Sequence, residues 1–149
     1  MTETHAPPVL CPTEALIARL EAATGPDRDL DVDIALAVQA WPEDVFPMRA
    51  MPGQIGLSAY RSMTAPHYTA ILDAALMLVP DGWYGFVEPF FHEDGEFVRY
   101  RGHCARPDWA KWNPDGSWIE KVETAQQHPT PALALCIAAL RARATGGQA

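Results

Sequence analysis

Cysteine is scarce in this chain, and the three thiols present, Cys11, Cys104 and Cys136, lack the spacing of a metal site. An odd number of thiols also argues against a framework of paired disulfides, so we expect free cysteines in a reducing compartment. No uninterrupted apolar run reaches the length of a membrane span, and the N-terminal segment lacks the basic start and apolar core of a secretory signal. We therefore expect a cytoplasmic protein without a membrane partner.

Basic residues are also few. The chain has 11 Lys and Arg against 19 Asp and Glu, which gives a formal net charge of −8 at pH 7. A surface of this sign repels phosphate backbones at long range, which excludes general DNA or RNA binding. Hydrophobic residues nevertheless make up 48% of the 149 residues, enough for a genuine core. We expect a single domain over residues 1–149.

Motifs that carry chemistry are missing as well. The sequence contains no C-x-x-C or H-E-x-x-H pattern, no nucleophile elbow and no glycine-rich phosphate loop followed by lysine. The polar stretch His92, Glu93, Asp94 and Glu96 could offer metal ligands, but it coincides with a turn signal, and an exposed acidic turn is the simpler interpretation. We expect no enzyme activity, no cofactor and no metal.

Four segments show the apolar period of a helix, at residues 12–25, 25–42, 67–83 and 130–143. The last is the clearest: Thr130 can cap it, Pro131 suits its first turn, and one apolar stripe is formed by Leu133, Cys136, Ile137 and Leu140. Residues 1–11 read as a flexible lead-in. Residues 42–66 are rich in Pro, Gly and Ser and predict a long irregular connector, with at most one short strand at 55–60.

An antiparallel hairpin is predicted between the third and fourth helices. Asp94-Gly95 favours a two-residue turn between strands at 83–91 and 96–104, and a further strand is expected at 116–123. This register pairs Phe90 with Arg99 and Glu88 with Arg101. One strand face then carries Phe86, Glu88, Phe90, Arg99, Arg101 and His103, and the other carries Val87, Pro89, Phe91, Val98 and Tyr100, the expected core side. Helices and antiparallel strands together predict an α+β fold.

A resemblance to a known family rests on three segments, LIARLEAATGPDRDLDVDIALAV, PHYTAILDAALMLVPDGW and TPALALCIAALRA. In order and spacing they resemble small phage and prophage proteins that contain the phage ABA sandwich domain. The resemblance implies an antiparallel sheet sandwiched between the N-terminal and central helices and a C-terminal helix that closes the sandwich. It covers about half the chain and does not reach 42–66 or 86–123, so it transfers no functional residue.

The face with aromatic rings and two arginines suits a planar anionic ligand such as a nucleotide, because guanidinium groups match phosphates and rings stack on bases. We take Phe86, Phe90, Arg99, Arg101 and His103 as candidate ligand-binding residues. The alternative is an ordinary cross-strand ion pair between Glu88 and Arg101 on a solvated surface. Trp109 and Trp112 are candidates for an interaction surface or an oligomer contact, or simply pack over the edge of the hairpin.

Two functions follow as expectations. The first is a non-catalytic phage or prophage accessory protein that sequesters a nucleotide-type immune messenger, such as a cyclic oligonucleotide or a cyclic ADP-ribose isomer, in the host cytoplasm; the resemblance implies this role. The second is an acidic protein-interaction module that binds and inhibits a host or phage protein. In either case the tryptophans and the apolar content favour a homo-oligomer.

Overall fold

The computed structural model describes residues 12–107, 114–115 and 121–147. The lead-in at 1–11 lies outside these ranges, as do three of the five tryptophans, Trp109, Trp112 and Trp118. The helices are α1 (Pro12–Ala22), α2 (Arg28–Val38), α3 (Leu72–Leu76) and α4 (Pro131–Ala142), with a π-helical turn at Arg143–Gly147. The strands are β1 (Met48–Arg49), β2 (Gln54–Gly56), β3 (Ser62–Thr64), β4 (Tyr84–Phe91), β5 (Phe97–Pro107) and β6 (Lys121–His128).

The strands form two antiparallel sheets, β1–β2–β3 and β4–β5–β6, each in chain order. Together with the helices they confirm the α+β class predicted from the sequence. The larger sheet packs against α4, and the main core lies on the far side of that helix, where α1 and α3 pack against α4 and α2 packs against α1.

Helix α4 is the middle layer of the fold, whereas the resemblance to the phage ABA sandwich proteins implied a closing outer layer with the sheet in the middle. Every residue from 132 to 140 is buried. The large apolar side chains predicted to face the sheet belong to the helical core with Leu16, Leu20 and Ile34 instead. The sheet takes the opposite, alanine-rich face, where Ala138 and Ala142 cluster with Cys104. A stripe of large apolar residues predicts which face of a helix is buried but not which element covers that face. The small alanine side chains on the other face give only a weak hydrophobic signal, so burial of that face against the sheet was not predicted.

Small residues allow strand β5 to approach α4 closely. A Cβ atom built on Gly102 would lie 2.6 Å from the backbone nitrogen of Leu135 and closer still to the carbonyl group of Ala134. The hydroxyl of Thr124 on β6 donates a hydrogen bond of 2.6 Å to the carbonyl oxygen of Ala138. Thr130, the predicted cap of α4, makes no capping bond; its hydroxyl lies 3.1 Å from Nδ1 of His128.

Helices α1 and α2 lie where predicted, although both end earlier. The expected stripe of α1 is buried, and in α2 Leu30 and Ile34 are buried while Val38 is half-buried. Asp27 caps α2, because its carboxylate accepts hydrogen bonds from the backbone N–H groups of Asp29 and Leu30. Helix α3 is much shorter than the predicted segment at 67–83. It begins after Ile71, which is extended and half exposed rather than part of a buried stripe.

A buried ion pair ties α2 to the segment that follows the predicted connector. Asp31 is fully buried, and its carboxylate accepts hydrogen bonds from Arg28 at 2.7 Å and from both the backbone N–H and the hydroxyl of Thr69 at 2.8 Å. Arg28 also donates to the carbonyl oxygen of Ala65 at 2.7 Å and to that of Gly53 at 3.3 Å. These bonds hold the chain on both sides of β3 against one helix.

The segment at 42–66 is therefore less irregular than predicted, because it contains all three strands of the smaller sheet. Strands of two or three residues are too short for an alternating pattern to reveal them. Ile55 on β2 is fully buried in the helical core. Gly53 turns the chain with φ of +75°, and an added Cβ would meet the guanidinium of Arg28.

Both described thiols are buried. Burial raises the pKa of Cys104 from its ordinary 9.0 to about 11, and it raises the pKa of Cys136 further. Both groups are therefore protonated at neutral pH and inert as nucleophiles. The thiol of Cys136 donates to the carbonyl oxygen of Tyr68 at 3.1 Å, which gives it a structural role.

We expect the thiols of Cys104 and Cys136 to resist a disulfide reagent at pH 8 in the folded protein. A Cys11→Ser variant restricts the assay to the two described thiols. Guanidinium chloride should unfold the protein and expose both thiols, giving two equivalents of product. Rapid labelling of the native variant would contradict this assignment.

The raised pKa of Cys104 also makes the stability of the protein depend on pH. The unfolded chain releases the Cys104 proton near pH 9.0, and the folded chain releases it only near pH 11. The free energy of unfolding should therefore fall as the pH rises through that window.

Candidate functional site

The hairpin β4–β5 has the register predicted from the sequence. Phe90 pairs with Arg99, Glu88 with Arg101, and Phe86 with His103. Since side chains alternate along a strand, these cross-strand pairs lie on one face of the sheet. Helix α4 packs on the opposite face, and no other described helix packs broadly on this sheet.

The turn differs from the prediction, but in a way that preserves the register. The backbone N–H of His92 donates to the carbonyl oxygen of Glu96, so the loop has three residues, with Gly95 at φ of +87°. A β-bulge follows: Phe91 pairs with Phe97 and Phe90 with Arg99, which leaves Val98 as an extra residue on β5. The longer loop and the bulge shift the pairing in opposite senses, and their effects cancel.

A concavity of about 670 Å³ lies on this face. The described residues that line it come from β5 and β6: Arg99, Arg101, His103, Ala125, Gln126 and Gln127. The sequence did not predict the contribution of β6, because it places the third strand at 116–123, whereas the described strand is Lys121–His128. The segment at 124–127 was the sequence feature that could have indicated this part of β6. It is short and mostly polar and precedes the start of a helix, a pattern as typical of a loop as of a strand.

Glu88, His103 and Arg101 form a polar group beside the concavity. Nε2 of His103 donates a hydrogen bond of 2.7 Å to Oε1 of Glu88, and Nη1 of Arg101 lies 4.0 Å from the same oxygen. His103 is buried, with its side chain 9% exposed, whereas the side chain of Glu88 is 49% exposed. The carboxylate is thus held by one oxygen and reaches solvent.

The aromatic rings already have partners within the sheet. Phe86 stacks on His103 with ring centroids 4.5 Å apart and an angle of 9° between the planes. The guanidinium carbon of Arg101 lies 5.2 Å from the centroid of Phe90. Both phenylalanines are exposed by somewhat more than a third. Their rings therefore orient the two side chains next to the concavity, whereas the sequence predicted open platforms for a ligand's base.

Arg99 is an exposed cation on the same sheet face as Glu88, Arg101 and His103. It has no ion pair with any residue in the described part of the chain. Its position two residues from Arg101 places it on the same strand face, at the rim of the concavity. An exposed guanidinium without a carboxylate partner keeps its full capacity to bind an anion.

The face expected to be the core side is buried only in part. Val87 packs against the core, but Pro89 and Phe91 are exposed, the latter by 51%. At the outer end, Phe91 and Tyr100 each contact the ring of Phe97. Alternation predicts which residues share a face but not how far along a strand the packed helix extends.

The acidic turn that follows β4 has a structural explanation. In the acidic turn, the carboxylate of Asp94 accepts the backbone N–H of Glu96 at 2.9 Å, as expected for a turn residue. Among the described residues there is no group of three potential ligands that could hold a metal ion. No helix within the described ranges is long and apolar enough to cross a bilayer. The interaction candidates Trp109 and Trp112 lie outside those ranges.

Comparisons with protein-family models, with curated proteins and with solved structures find no match to this chain. The resemblance to the phage ABA sandwich proteins therefore stays a prediction from the sequence.

Proposed function

We propose that this protein is a non-catalytic binding protein that holds a nucleotide-type anion on the face of β4–β5–β6 opposite α4. One observation carries the proposal: an open concavity with Arg99 and Arg101 side by side at its wall. Guanidinium groups bind phosphate through paired, charge-assisted hydrogen bonds. Gln127 pairs with Arg101 on the neighbouring strand, so its amide side chain adds neutral donors and an acceptor on the same face.

The local charge supports this site although the whole chain is acidic. With a net charge of −8, an anion is repelled at long range, so binding depends on short-range contacts. The described residues that line the concavity include two arginines and no carboxylate. The carboxylate of Glu88, beside the concavity, accepts a hydrogen bond from His103 and lies 4.0 Å from Arg101.

The resemblance to phage ABA sandwich proteins suggests which ligands to test first. It implies a phage or prophage accessory protein that sequesters cyclic oligonucleotides or cyclic ADP-ribose isomers made by host immunity. Sequestration requires affinity and no chemistry, which agrees with a site built from two arginines and an amide. We therefore propose this role for the protein.

A double variant, Arg99→Ala/Arg101→Ala, should weaken nucleotide binding at least about a hundredfold, because each charge-assisted contact contributes roughly 1.5–3 kcal/mol. The ligand is first found by a thermal-shift screen of cyclic di- and trinucleotides and cyclic ADP-ribose isomers, since a ligand of the native state raises its melting temperature. Isothermal titration calorimetry then compares the nucleotide affinity of the double variant with that of the parent protein.

The control is Arg19→Ala/Arg61→Ala, which removes the same charge from positions outside the concavity and should leave affinity nearly unchanged. If Arg101 serves only in a surface ion pair with Glu88, the site variant keeps its affinity and loses less than about 1 kcal/mol of stability. A folded double variant that binds with parental affinity would contradict the proposal.

A second candidate function is an acidic protein-interaction module, which one observation favours. Four large side chains on and near the smaller sheet are exposed by more than half: Phe46, Met48, Met51 and Tyr60. Large apolar side chains exposed in one region of a surface are typical of protein interfaces. They suit a host or phage protein, or a second copy of this chain, and they lie on a different sheet from the arginines.

A further inference from the structure

We infer that the nucleotide base read by this face is guanine, and that Glu88 recognises it beside Arg101. The inference rests on the proposed function, because it names the ligand of the same site. It starts from the carboxylate of Glu88, which is half exposed and lies 4.0 Å from the guanidinium of Arg101.

The carboxylate of Glu88 is fixed on one side only. Its Oε1 accepts the hydrogen bond from His103 and lies 4.0 Å from Arg101, while Oε2 accepts no hydrogen bond from any residue the structure describes. The stack of His103 on Phe86 fixes the orientation of the ring that makes this bond. Glu88 therefore keeps a hydrogen-bond acceptor that no described residue occupies, on a side chain that is half exposed and lies beside the Arg101 guanidinium.

A carboxylate at this place disfavours a phosphate directly beside Arg101, because an ionised carboxylate can only accept hydrogen bonds and repels phosphate. A ligand that satisfies the whole face brings donors to Glu88, an acceptor to Arg101 and a negative charge to Arg99. Among the nucleobases, guanine presents two adjacent donors, N1–H and the N2 amino group, next to the acceptor O6. The donors match the two oxygens of Glu88, and O6 matches Arg101, which is a donor.

The other bases satisfy this pair less well. The pairing edge of adenine has a single donor group next to an acceptor nitrogen, and uracil has one N–H between two carbonyl oxygens. Either would leave part of the carboxylate facing an acceptor. Arg99 lies about 7 Å from Arg101 by the rise of a strand, which leaves it available for the phosphate of the same nucleotide.

The test compares two probes that differ only in the base, cyclic di-GMP and cyclic di-AMP, by calorimetry. We expect the parent protein to bind cyclic di-GMP at least about tenfold more tightly, since a matched bidentate pair discriminates by that order. Glu88→Gln should abolish the preference by weakening cyclic di-GMP alone. Glu96→Gln, which makes the same charge change at an exposed position before β5, should retain it.

The outcomes separate the two proposals. Equal affinity for both probes in the parent protein would overturn the guanine inference and leave the proposed function in place. Binding of neither probe, nor of any other nucleotide in the screen, would overturn both. If circular dichroism shows that Glu88→Gln is unfolded, Glu88→Asp serves instead, because aspartate has a shorter side chain and withdraws the carboxylate from the base. Loss of the preference for cyclic di-GMP in Glu88→Asp would support the inference. Full retention of that preference would overturn it.

Discussion

Replacing Asp31 by alanine is expected to lower the free energy of unfolding by about 3–5 kcal/mol, because it leaves a partly buried arginine without its counter-ion. The carboxylate is 1% exposed and accepts three hydrogen bonds, one from Arg28 and two from Thr69. Chemical denaturation followed by tryptophan fluorescence measures the change. The loss is a large fraction of the stability of a domain of this size.

The matched control is Asp29→Ala, which removes the same charge from an exposed position in the first turn of the same helix. It should cost about 0.3–1 kcal/mol through the helix dipole. Asp31→Asn separates two contributions, because the amide can still accept from Thr69 but loses the charge that faces Arg28. If Asp31→Ala were no more destabilising than Asp29→Ala, the ion pair would not organise the segment that contains β1–β3.

The hairpin was predictable because two independent signals agree on it. Asp94-Gly95 indicates the turn, and the alternation of polar and apolar residues indicates the faces, so the pairing of Glu88 with Arg101 follows from the amino-acid sequence alone. The bulge at Val98 was not predictable from either signal. It left the site residues in place only because the longer loop compensates for it.

The layer order was not predictable for a different reason. The stripe on α4 that includes Leu133 and Ile137 shows that the helix is buried, and the structure confirms that burial. Which side of α4 meets the sheet depends on how closely the backbones of α4 and β5 can approach, and that distance depends on Gly102. The fit between two segments that are far apart in the chain cannot be read from the hydrophobic periodicity of either segment alone.

The partners of the site residues were also beyond the sequence. Phe86 and Phe90 share a face with the arginines as predicted, but only the folded structure shows that Phe86 stacks on His103 and that Phe90 lies under Arg101. These contacts shift the expected role of the rings from binding a base to orienting basic side chains. They also leave the carboxylate of Glu88 as the group to which the guanine inference assigns recognition of the base.

Gly102→Ala is expected to destabilise the protein by about 3 kcal/mol, at the upper end of the cost of overpacking a core. The new methyl group would meet the backbone of Ala134 and Leu135, and backbone atoms cannot move aside as a flexible side chain does. Either β5 must lift from α4, or the helix must shift against the core on its other side. Thermal and chemical denaturation measure the loss.

Gly25→Ala is the matched control, because a Cβ there meets nothing within 4 Å and the backbone needs no positive φ; its effect should stay within about 0.5 kcal/mol. The variant also connects stability with binding, since Gly102 lies between Arg101 and His103 on β5. Lifting the strand displaces both side chains, so the residual folded protein should bind nucleotide less tightly than the parent, whereas Gly25→Ala should bind normally. A Gly102→Ala variant as stable as Gly25→Ala would show that β5 does not depend on close contact with α4, and that the site is positioned by the hairpin alone.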